Sequence, residues 1–155
     1  MIKTAVFGAG CFWGVEDAFR KLPGVLKTEV GYAGGKSKDC TYEEICSGKT
    51  GHAEVVKIEY DSDKIKYTKL LEILFRIHDS TQINRQGPDV GYQYRSVIFY
   101  FDNEQKKEAT EYIKKEQKNH KNKIATSVEK FTTYSKAEEY HQKYIMKGGA
   151  AACKI

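Results

Sequence analysis

One cysteine lies between a predicted strand and a predicted helix, in the segment GAGCFWG at residues 8–14. At a helix N-terminus, the free backbone N–H groups and the helix dipole favour a thiolate over a thiol, and the thiolate is the reactive form of cysteine. The flanking glycines let the backbone turn sharply and let a substrate approach closely. A lone cysteine is more often a buried residue of an aromatic core, but this succession of strand, glycine, cysteine and helix favours a nucleophile. Phe12 and Trp13 would then form the wall of an apolar pocket beside Cys11.

A carboxyl group that could act as an acid lies near the beginning of a later predicted strand. Glu54 follows His52 and precedes the apolar pair Val55-Val56. A carboxyl group that is buried there has a raised pKa and stays protonated near neutral pH, which is the form that donates a proton. The alternative is an exposed glutamate at a strand end, which is the more common situation for this residue type.

Side chains of two long predicted loops are further candidates. Tyr94 belongs to the segment YQYR at residues 92–95, Tyr42 lies in the other loop, and Asp89 follows a Gly-Pro pair. Because the chain contains 11 tyrosines, the residue type alone favours packing over catalysis for each of them. Asp89 is equally compatible with a simple turn.

The cysteines do not form a pattern typical of a metal site or of a disulfide framework. There are four of them, Cys11, Cys40, Cys46 and Cys153, and no CxxC pair occurs. Zinc ligands usually come in closely spaced pairs, which Cys40 and Cys46 with the nearby histidines do not provide. We therefore predict no metal and no cofactor, and we interpret the cysteines as reactive or buried thiols.

Strands and helices alternate along the first hundred residues. Runs of β-favouring residues predict strands at 3–7, 25–32, 52–60 and 96–101. Helical spacing of apolar residues predicts helices at 13–22 and 68–78. The order β-α-β-β-α-β predicts an α+β fold, namely a ferredoxin-like split βαβ unit that forms a two-layer sandwich with a mixed sheet. Two loops, at 33–51 and 79–94, are long enough to carry function.

Further elements are expected as C-terminal additions to this unit. Asp102 or Asn103 is expected to cap a helix at 104–118, and a strand is expected at 123–131. The sequence from Ser135 to Glu138 has the form of a capping box and predicts a last helix that extends to about residue 144. Residues 1–155 are thus expected to form one domain that ends in a mobile tail, residues 145–155.

The composition argues against several other classes of protein. With 40% hydrophobic and 30% charged residues, the chain has the composition of a globular domain rather than of a disordered one. No apolar run is close to the roughly 20 residues that span a bilayer, and the first residues do not resemble a signal peptide. We therefore expect a cytoplasmic protein with no membrane partner. The net charge of +5 arises in residues 103–155, which carry 12 basic and 7 acidic side chains, and a solvated lysine-rich helix face explains it better than a nucleic-acid partner.

A series of motifs, in order along the chain, resembles those of the A-type peptide methionine sulfoxide reductases. They are GAGCFWGVE at 8–16, GYAGG at 31–35, TYEEICSG at 41–48, TGHAEVV at 50–56, HD at 78–79, QGPDVGYQYRS at 86–96 and AEEYHQ at 137–142. The resemblance covers about residues 4–145. It implies a thiol-dependent reduction of methionine-S-sulfoxide, free and in proteins, which repairs oxidised proteins.

The resemblance also implies a role for each candidate residue. Cys11 would be the nucleophile, Glu54 the acid toward the sulfoxide oxygen, and Asp89 a residue that orders the site. Phe12 and Trp13 would form a pocket for the substrate's S-methyl group. Tyr42 and Tyr94 would donate hydrogen bonds to the sulfoxide oxygen.

The implied reaction leaves Cys11 as a sulfenic acid, which a second thiol must reduce. Cys46 follows an apolar residue and is interpreted as buried and inert, and Cys40 lies in a polar stretch where the family does not usually place a resolving thiol. Cys153 lies in a tail of glycines and alanines that could carry its sulfur to Cys11. We hypothesise a Cys11–Cys153 disulfide that thioredoxin reduces, with direct reduction by glutathione and glutaredoxin as the alternative.

Two other functions remain open from the sequence. A thiol peroxidase or a thiol–disulfide oxidoreductase would use Cys11 but would need neither Glu54 nor the tyrosines. An RNA-binding module of ferredoxin-like fold is less favoured, because no suitable aromatic run occurs on a predicted strand.

Overall fold

A mixed β-sheet forms the centre of the computed structural model, which describes residues 1–35 and 51–143. The strands are Ile2–Ala9 (β1), Val25–Ala33 (β2), Ala53–Asp61 (β3), Arg85–Gln86 (β4), Asp89–Val90 (β5), Ser96–Tyr100 (β6), Ser127–Lys130 (β7) and Tyr134–Lys136 (β8). Six of them form one sheet in the order β7-β6-β1-β3-β2-β8, while β4 and β5 form a separate hairpin. The pair β6–β7 is parallel, and the other neighbouring strands are antiparallel.

In residues 1–35 and 51–143, three α-helices pack on one face of this sheet: Phe12–Arg20 (α1), Tyr67–Ile77 (α2) and Asn103–Glu116 (α3). Alternate residues of the strands point toward them, because successive side chains of a strand lie on opposite faces. The main core between helices and sheet includes Phe7, Phe19, Ile58, Leu71 and Ile98, all of which are inaccessible to solvent. Burial of such large apolar side chains contributes roughly 1.5–3 kcal/mol each.

Local signals place the helix ends. The Asp102 side chain accepts a hydrogen bond of 2.8 Å from the Gln105 backbone N–H and thereby caps α3. The first helix ends at Arg20, shortly before Gly24, whose φ of +94° suits glycine. Within the described ranges, no helix is long and apolar enough to cross a membrane.

The mixed α+β architecture confirms the expected fold class at this level. The strands predicted at 3–7, 25–32, 52–60 and 96–101 and the helices predicted at 13–22, 68–78 and 104–118 are all present, with ends within two residues of the prediction. The strand expected at 123–131 is shorter, Ser127–Lys130, and extends the sheet beside β6.

The predicted last helix is wrong. Residues Tyr134–Lys136 form strand β8, which pairs with Gly31, Tyr32 and Ala33 of β2. Between this strand and residue 143, where the described part of the chain ends, only a short 3-10 helix, Glu139–His141, occurs. Ser135 is therefore in extended backbone inside a sheet and does not cap a helix. Pairing with a neighbouring strand satisfies more backbone groups than one local capping box does, so the tertiary contact overrides the local pattern.

Candidate active site

Cys11 occupies the position immediately before α1, as the sequence predicts. Its backbone is extended, with φ −61° and ψ 124°, and the helix begins at Phe12. Only 6% of Cys11 is exposed to solvent. The positive end of the helix dipole is therefore close to Cys11, and it favours a thiolate when the sulfur is reduced.

The chain reaches this position through a left-handed glycine. Gly10 has φ +92°, and a Cβ atom added to it would lie 2.7 Å from the Cβ atom of Gln86. Such a distance is far below a van der Waals contact, so only glycine fits between β1 and Cys11. Gln86 itself is buried and belongs to the β4–β5 hairpin, which thus packs directly against the cysteine loop.

Glu54 lies on the sheet next to the first residue of α1. It lies on β3 opposite Tyr32 of β2 and on the same face as Val56, the face that the helices cover. The Phe12 backbone N–H donates a hydrogen bond of 3.3 Å to Glu54 Oε1, and Glu54 is only 1% exposed. Of the two alternatives for Glu54, the structure shows the buried carboxyl group. Its partner, Phe12, is the residue next to Cys11.

The environment of Glu54 favours its protonated form. Burial raises the pKa of this carboxyl group to about 8; the Phe12 N–H opposes the shift and the charge of Asp89 adds to it. Glu54 Oε2 has no hydrogen-bond partner within residues 1–35 and 51–143. A protonated Glu54 at neutral pH can thus donate to a group that enters beside Cys11.

Aromatic rings surround the first turn of α1. Phe12 is buried, and its ring centroid lies 5.7 Å from that of Tyr32 and 5.2 Å from that of His141. The Trp13 indole N–H donates a hydrogen bond of 3.0 Å to His141 Nδ1. Since Nδ1 accepts this bond, His141 is neutral, and burial lowers its pKa. Phe12 and Trp13 are therefore held in fixed orientations, which suits a pocket for an apolar group.

His141 is a site residue that the sequence reasoning missed. It lies in the motif AEEYHQ, which carried the only available signal, but that motif was assigned to a helix. The structure places it in the 3-10 helix Glu139–His141, where its ring contacts both Phe12 and Trp13. A helix prediction could not have shown that contact, because Trp13 and His141 are 128 residues apart.

The β4–β5 hairpin brings Asp89 to the same region. Asp89 pairs with Gln86, and the Gln86 side chain accepts a bond of 2.8 Å from the Asp79 N–H and donates one of 2.9 Å to the Asp79 carbonyl. The charge of Asp89 acts on Glu54, and partial burial raises the pKa of Asp89 itself. Tyr94 is partly buried in the 3-10 helix Tyr92–Tyr94, which contacts β3 and β4.

Four residues of the sequence argument, Cys40, Tyr42, Cys46 and Cys153, lie outside the described residues. Cys11, by contrast, is described and is disulfide-bonded in the structure.

The chain also matches known proteins along its length. Residues 3–155 match the family model of the peptide methionine sulfoxide reductases. The chain belongs to this family. Among curated family members, the peptide methionine sulfoxide reductase MsrA of Methanothermobacter thermautotrophicus is 52% identical over 155 residues, which cover 99% of this chain and 92% of the relative.

Solved structures of the family have the same fold. Mxr1 of Saccharomyces cerevisiae in reduced form has a TM-score of 0.91 and 39% identity, and the match covers 94% of this chain and 85% of Mxr1. Mxr1 in complex with Trx2 has a TM-score of 0.67 and 27% identity, and covers 92% of this chain and 84% of the other. The cysteine, carboxyl group and aromatic rings described above therefore belong to a peptide methionine sulfoxide reductase scaffold.

Proposed function

We propose that this protein reduces methionine-S-sulfoxide, free and in proteins, to methionine, with Cys11 as the attacking sulfur and Glu54 as the acid. One observation carries the proposal: a cysteine at a helix N-terminus lies beside a buried carboxyl group whose pKa burial raises to about 8. A thiolate nucleophile and a proton donor are the two groups that reduction of a sulfoxide by a thiol requires.

In the first step, the Cys11 thiolate attacks the sulfoxide while Glu54 delivers a proton to the sulfoxide oxygen. A sulfoxide becomes a good electrophile only when its oxygen is protonated or strongly hydrogen-bonded. The S–O bond of the substrate breaks, the methionine sulfur gains two electrons, and the oxygen ends on Cys11 as a sulfenic acid. The positions of Cys11 and Glu54 next to the start of α1 support these proposed roles.

Five further residues are proposed to bind the substrate or to order the site. Phe12 and Trp13 would contact the S-methyl group, since both rings border the first turn of α1 and sulfur–aromatic contacts are favourable. Tyr42 and Tyr94 would donate hydrogen bonds to the sulfoxide oxygen. Asp89 would order the site, which is supported by its electrostatic effect on Glu54.

Recycling of Cys11 is proposed to use Cys153. The thiol of Cys153 would attack the sulfur of the Cys11 sulfenic acid. A Cys11–Cys153 disulfide would form and water would be released. The disulfide-bonded state of Cys11 in the structure supports an intramolecular route. Thioredoxin is the proposed reductant, because a relative of 27% identity was solved in complex with Trx2; glutathione with glutaredoxin is the alternative. We place the protein in the cytoplasm, where these systems keep thiols reduced.

The central strands are proposed to form a ferredoxin-like split βαβ unit in a single catalytic domain, residues 1–155. The order β6-β1-β3-β2 and the helices α1 and α2 on one face support this classification. Helix α3 and strands β7 and β8 would be additions to that unit.

The proposal is tested with the two sulfoxide epimers of a dabsylated methionine. We expect turnover of the S epimer with thioredoxin, little turnover of the R epimer, and little peroxidase activity toward hydrogen peroxide. Equal turnover of both epimers, or a peroxidase rate above the sulfoxide rate, would contradict the assignment.

A further inference from the structure

The proposed reaction does not use Glu16, although this glutamate is 1% exposed and lies on α1 three residues after Trp13. Its Oε2 atom accepts a hydrogen bond of 2.9 Å from the Thr28 hydroxyl, and its Oε1 atom accepts one of 2.6 Å from the Lys143 backbone N–H. A buried carboxyl group costs free energy relative to a well-packed apolar side chain. The presence of a glutamate at this buried position is therefore better explained by the segments that it connects, α1 and the chain at Lys143, than by a contribution to stability alone.

The group that Glu16 holds belongs to a segment with little regular structure. After β8, residues 137–143 contain only the 3-10 helix Glu139–His141. Lys143 has φ +50°, a left-handed conformation that is unfavourable for a residue with a Cβ atom. The short bond from its N–H to Glu16 holds this conformation in place.

The same segment carries His141, which accepts the Trp13 indole N–H. Trp13 and Glu16 are three residues apart on α1 and lie on one side of the helix. Trp13 binds the His141 ring, and Glu16 binds the backbone N–H of Lys143, two residues further along the chain. The segment is therefore attached to α1 at two points, one at the Trp13 indole and one at the Glu16 carboxyl group.

A second anchor lets the segment stay folded without Glu16. The Gln142 side chain accepts a bond of 2.9 Å from the Val30 N–H and donates bonds of 2.9 and 3.0 Å to the Val30 and Ala137 carbonyls. These bonds attach the segment to β2 rather than to α1. Loss of Glu16 should therefore loosen the contact between His141 and Trp13 without unfolding the protein.

We propose that Glu16 is a positioning residue for the methyl-binding wall: it fixes residues 141–143 against α1 and thereby keeps the His141 ring on Trp13. The expected effect on KM rests on the proposed function. The expected effect on the orientation of Trp13 does not depend on that function. Glu16 does not touch the substrate and acts only through His141 and Trp13.

The test compares Glu16→Met, which keeps an unbranched side chain without an acceptor, with Glu16→Gln, which keeps an acceptor for the Lys143 N–H. Trp13 is the only tryptophan of the chain, so intrinsic fluorescence reports on this residue alone. We expect Glu16→Met to shift the emission to longer wavelength and to raise KM roughly tenfold, the size of one lost hydrogen bond to a charged group, with a smaller change in kcat. Glu16→Gln should restore most of both values. Asp17→Asn changes a partly buried carboxylate of the same helix that pairs with Arg20 and Lys21 and does not contact residues 141–143. It is the matched control and should change neither.

The decisive arm is the same substitution in a Trp13→Ala background. Because Glu16 acts through Trp13, Glu16→Met should add no further increase in KM there. If Glu16→Met does not fold, Thr28→Val takes its place in the cycle, since it removes the hydroxyl that orients the Glu16 carboxyl group toward the Lys143 N–H. Emission and KM should then shift in the same direction by a smaller factor. An additive effect in the Trp13→Ala background, or unchanged emission and KM in Glu16→Met, would overturn the proposal. Failure of the proposed function is distinguishable, because the parent protein itself would then lack sulfoxide reductase activity while the fluorescence result would still stand.

Discussion

At the scale of single residues, the site depends on two groups that different elements bring together. Cys11 precedes a helix, Glu54 is the second residue of β3, and the Phe12 N–H next to Cys11 donates to Glu54. The sequence predicted both local positions, because a Gly-Cys break before a helix and an acid before a Val-Val pair are visible in the pattern. It could not decide whether Glu54 is buried, since burial depends on the packing of α1 over β3, which no local pattern contains.

Replacement of Glu54 by Gln should slow the sulfoxide step by about 10²–10⁴-fold with little change in substrate affinity. A glutamine keeps the shape of the side chain and an acceptor for the Phe12 N–H but has no acidic proton. Rapid-mixing single-turnover measurements with methionine-S-sulfoxide separate this step from recycling. Glu59→Gln on the same strand is the control and should leave the rate within about twofold of the parent. An unchanged rate in Glu54→Gln would show that Glu54 has no catalytic role.

The raised pKa of Glu54 also predicts a pH dependence. The group is protonated below its pKa of about 8 and loses its proton above it. The rate of the sulfoxide step should therefore be retained below pH 8 and fall about tenfold per unit above it, while Glu54→Gln should lack this decrease. A single-turnover pH profile of both proteins checks this. An equal decrease of the rate above pH 8 in the two proteins would show that a group other than Glu54 causes it.

Trp13→Ala should raise KM and lower kcat/KM for methionine-S-sulfoxide by roughly 10–100-fold, the range for the loss of contacts to one methyl group. The indole is held by His141 and borders the first turn of α1, so its removal opens one wall of the proposed pocket. Steady-state kinetics and a urea unfolding curve are measured together. Normal kinetics with a sharp loss of stability would make Trp13 a core residue instead.

At the scale of elements, the sequence predicted most helices and strands but misassigned the last segment. The Ser135-to-Glu138 pattern is a sound capping box, yet these residues pair with β2 and then turn. The partner strand is about a hundred residues earlier in the chain, so local propensity could not reveal the pairing. His141 was missed for the same reason, because its ring contacts exist only once that segment lies against α1.

The β4–β5 hairpin gives an element-scale prediction through its contact with Gly10. Gly10→Ala should reduce the free energy of unfolding by about 2–5 kcal/mol, because it adds strain at φ +92° and a clash with the Gln86 Cβ atom. Gly51→Ala is the matched control: it has φ +76°, but the nearest atom to its added Cβ is 3.7 Å away, so we expect only about 1–2 kcal/mol. Urea denaturation measures both values, and equal losses would mean that the hairpin does not press on the cysteine loop.

At the scale of the whole molecule, the sheet order joins segments that are far apart in sequence around one helix N-terminus. Cys11, Glu54 and His141 come from the first, second and last parts of the chain. The alternation of elements predicted an α+β class with a mixed sheet. It did not predict that β8 covers the edge of β2, because strand order beyond the alternating unit depends on long-range packing.

The proposed recycling involves both ends of the chain, since it would require Cys153 to reach Cys11. In Cys153→Ser, the first turnover should still release methionine, but turnover supported by thioredoxin should fall to a small fraction of the parent rate. Cys40→Ser is the control and should behave as the parent does. Intact thioredoxin-supported turnover in Cys153→Ser would exclude Cys153 as the resolving residue.

The fate of Cys11 in a single turnover without reductant shows most directly whether Cys11 is the attacking sulfur. The protein is fully reduced, mixed with excess methionine-S-sulfoxide, quenched with an alkylating reagent and digested for mass spectrometry, while released methionine is quantified. We predict one equivalent of methionine per protein, loss of the alkylated Cys11 peptide, and no methionine from Cys11→Ser. Release of methionine while the Cys11 peptide remains fully alkylated, or from Cys11→Ser, would contradict the account.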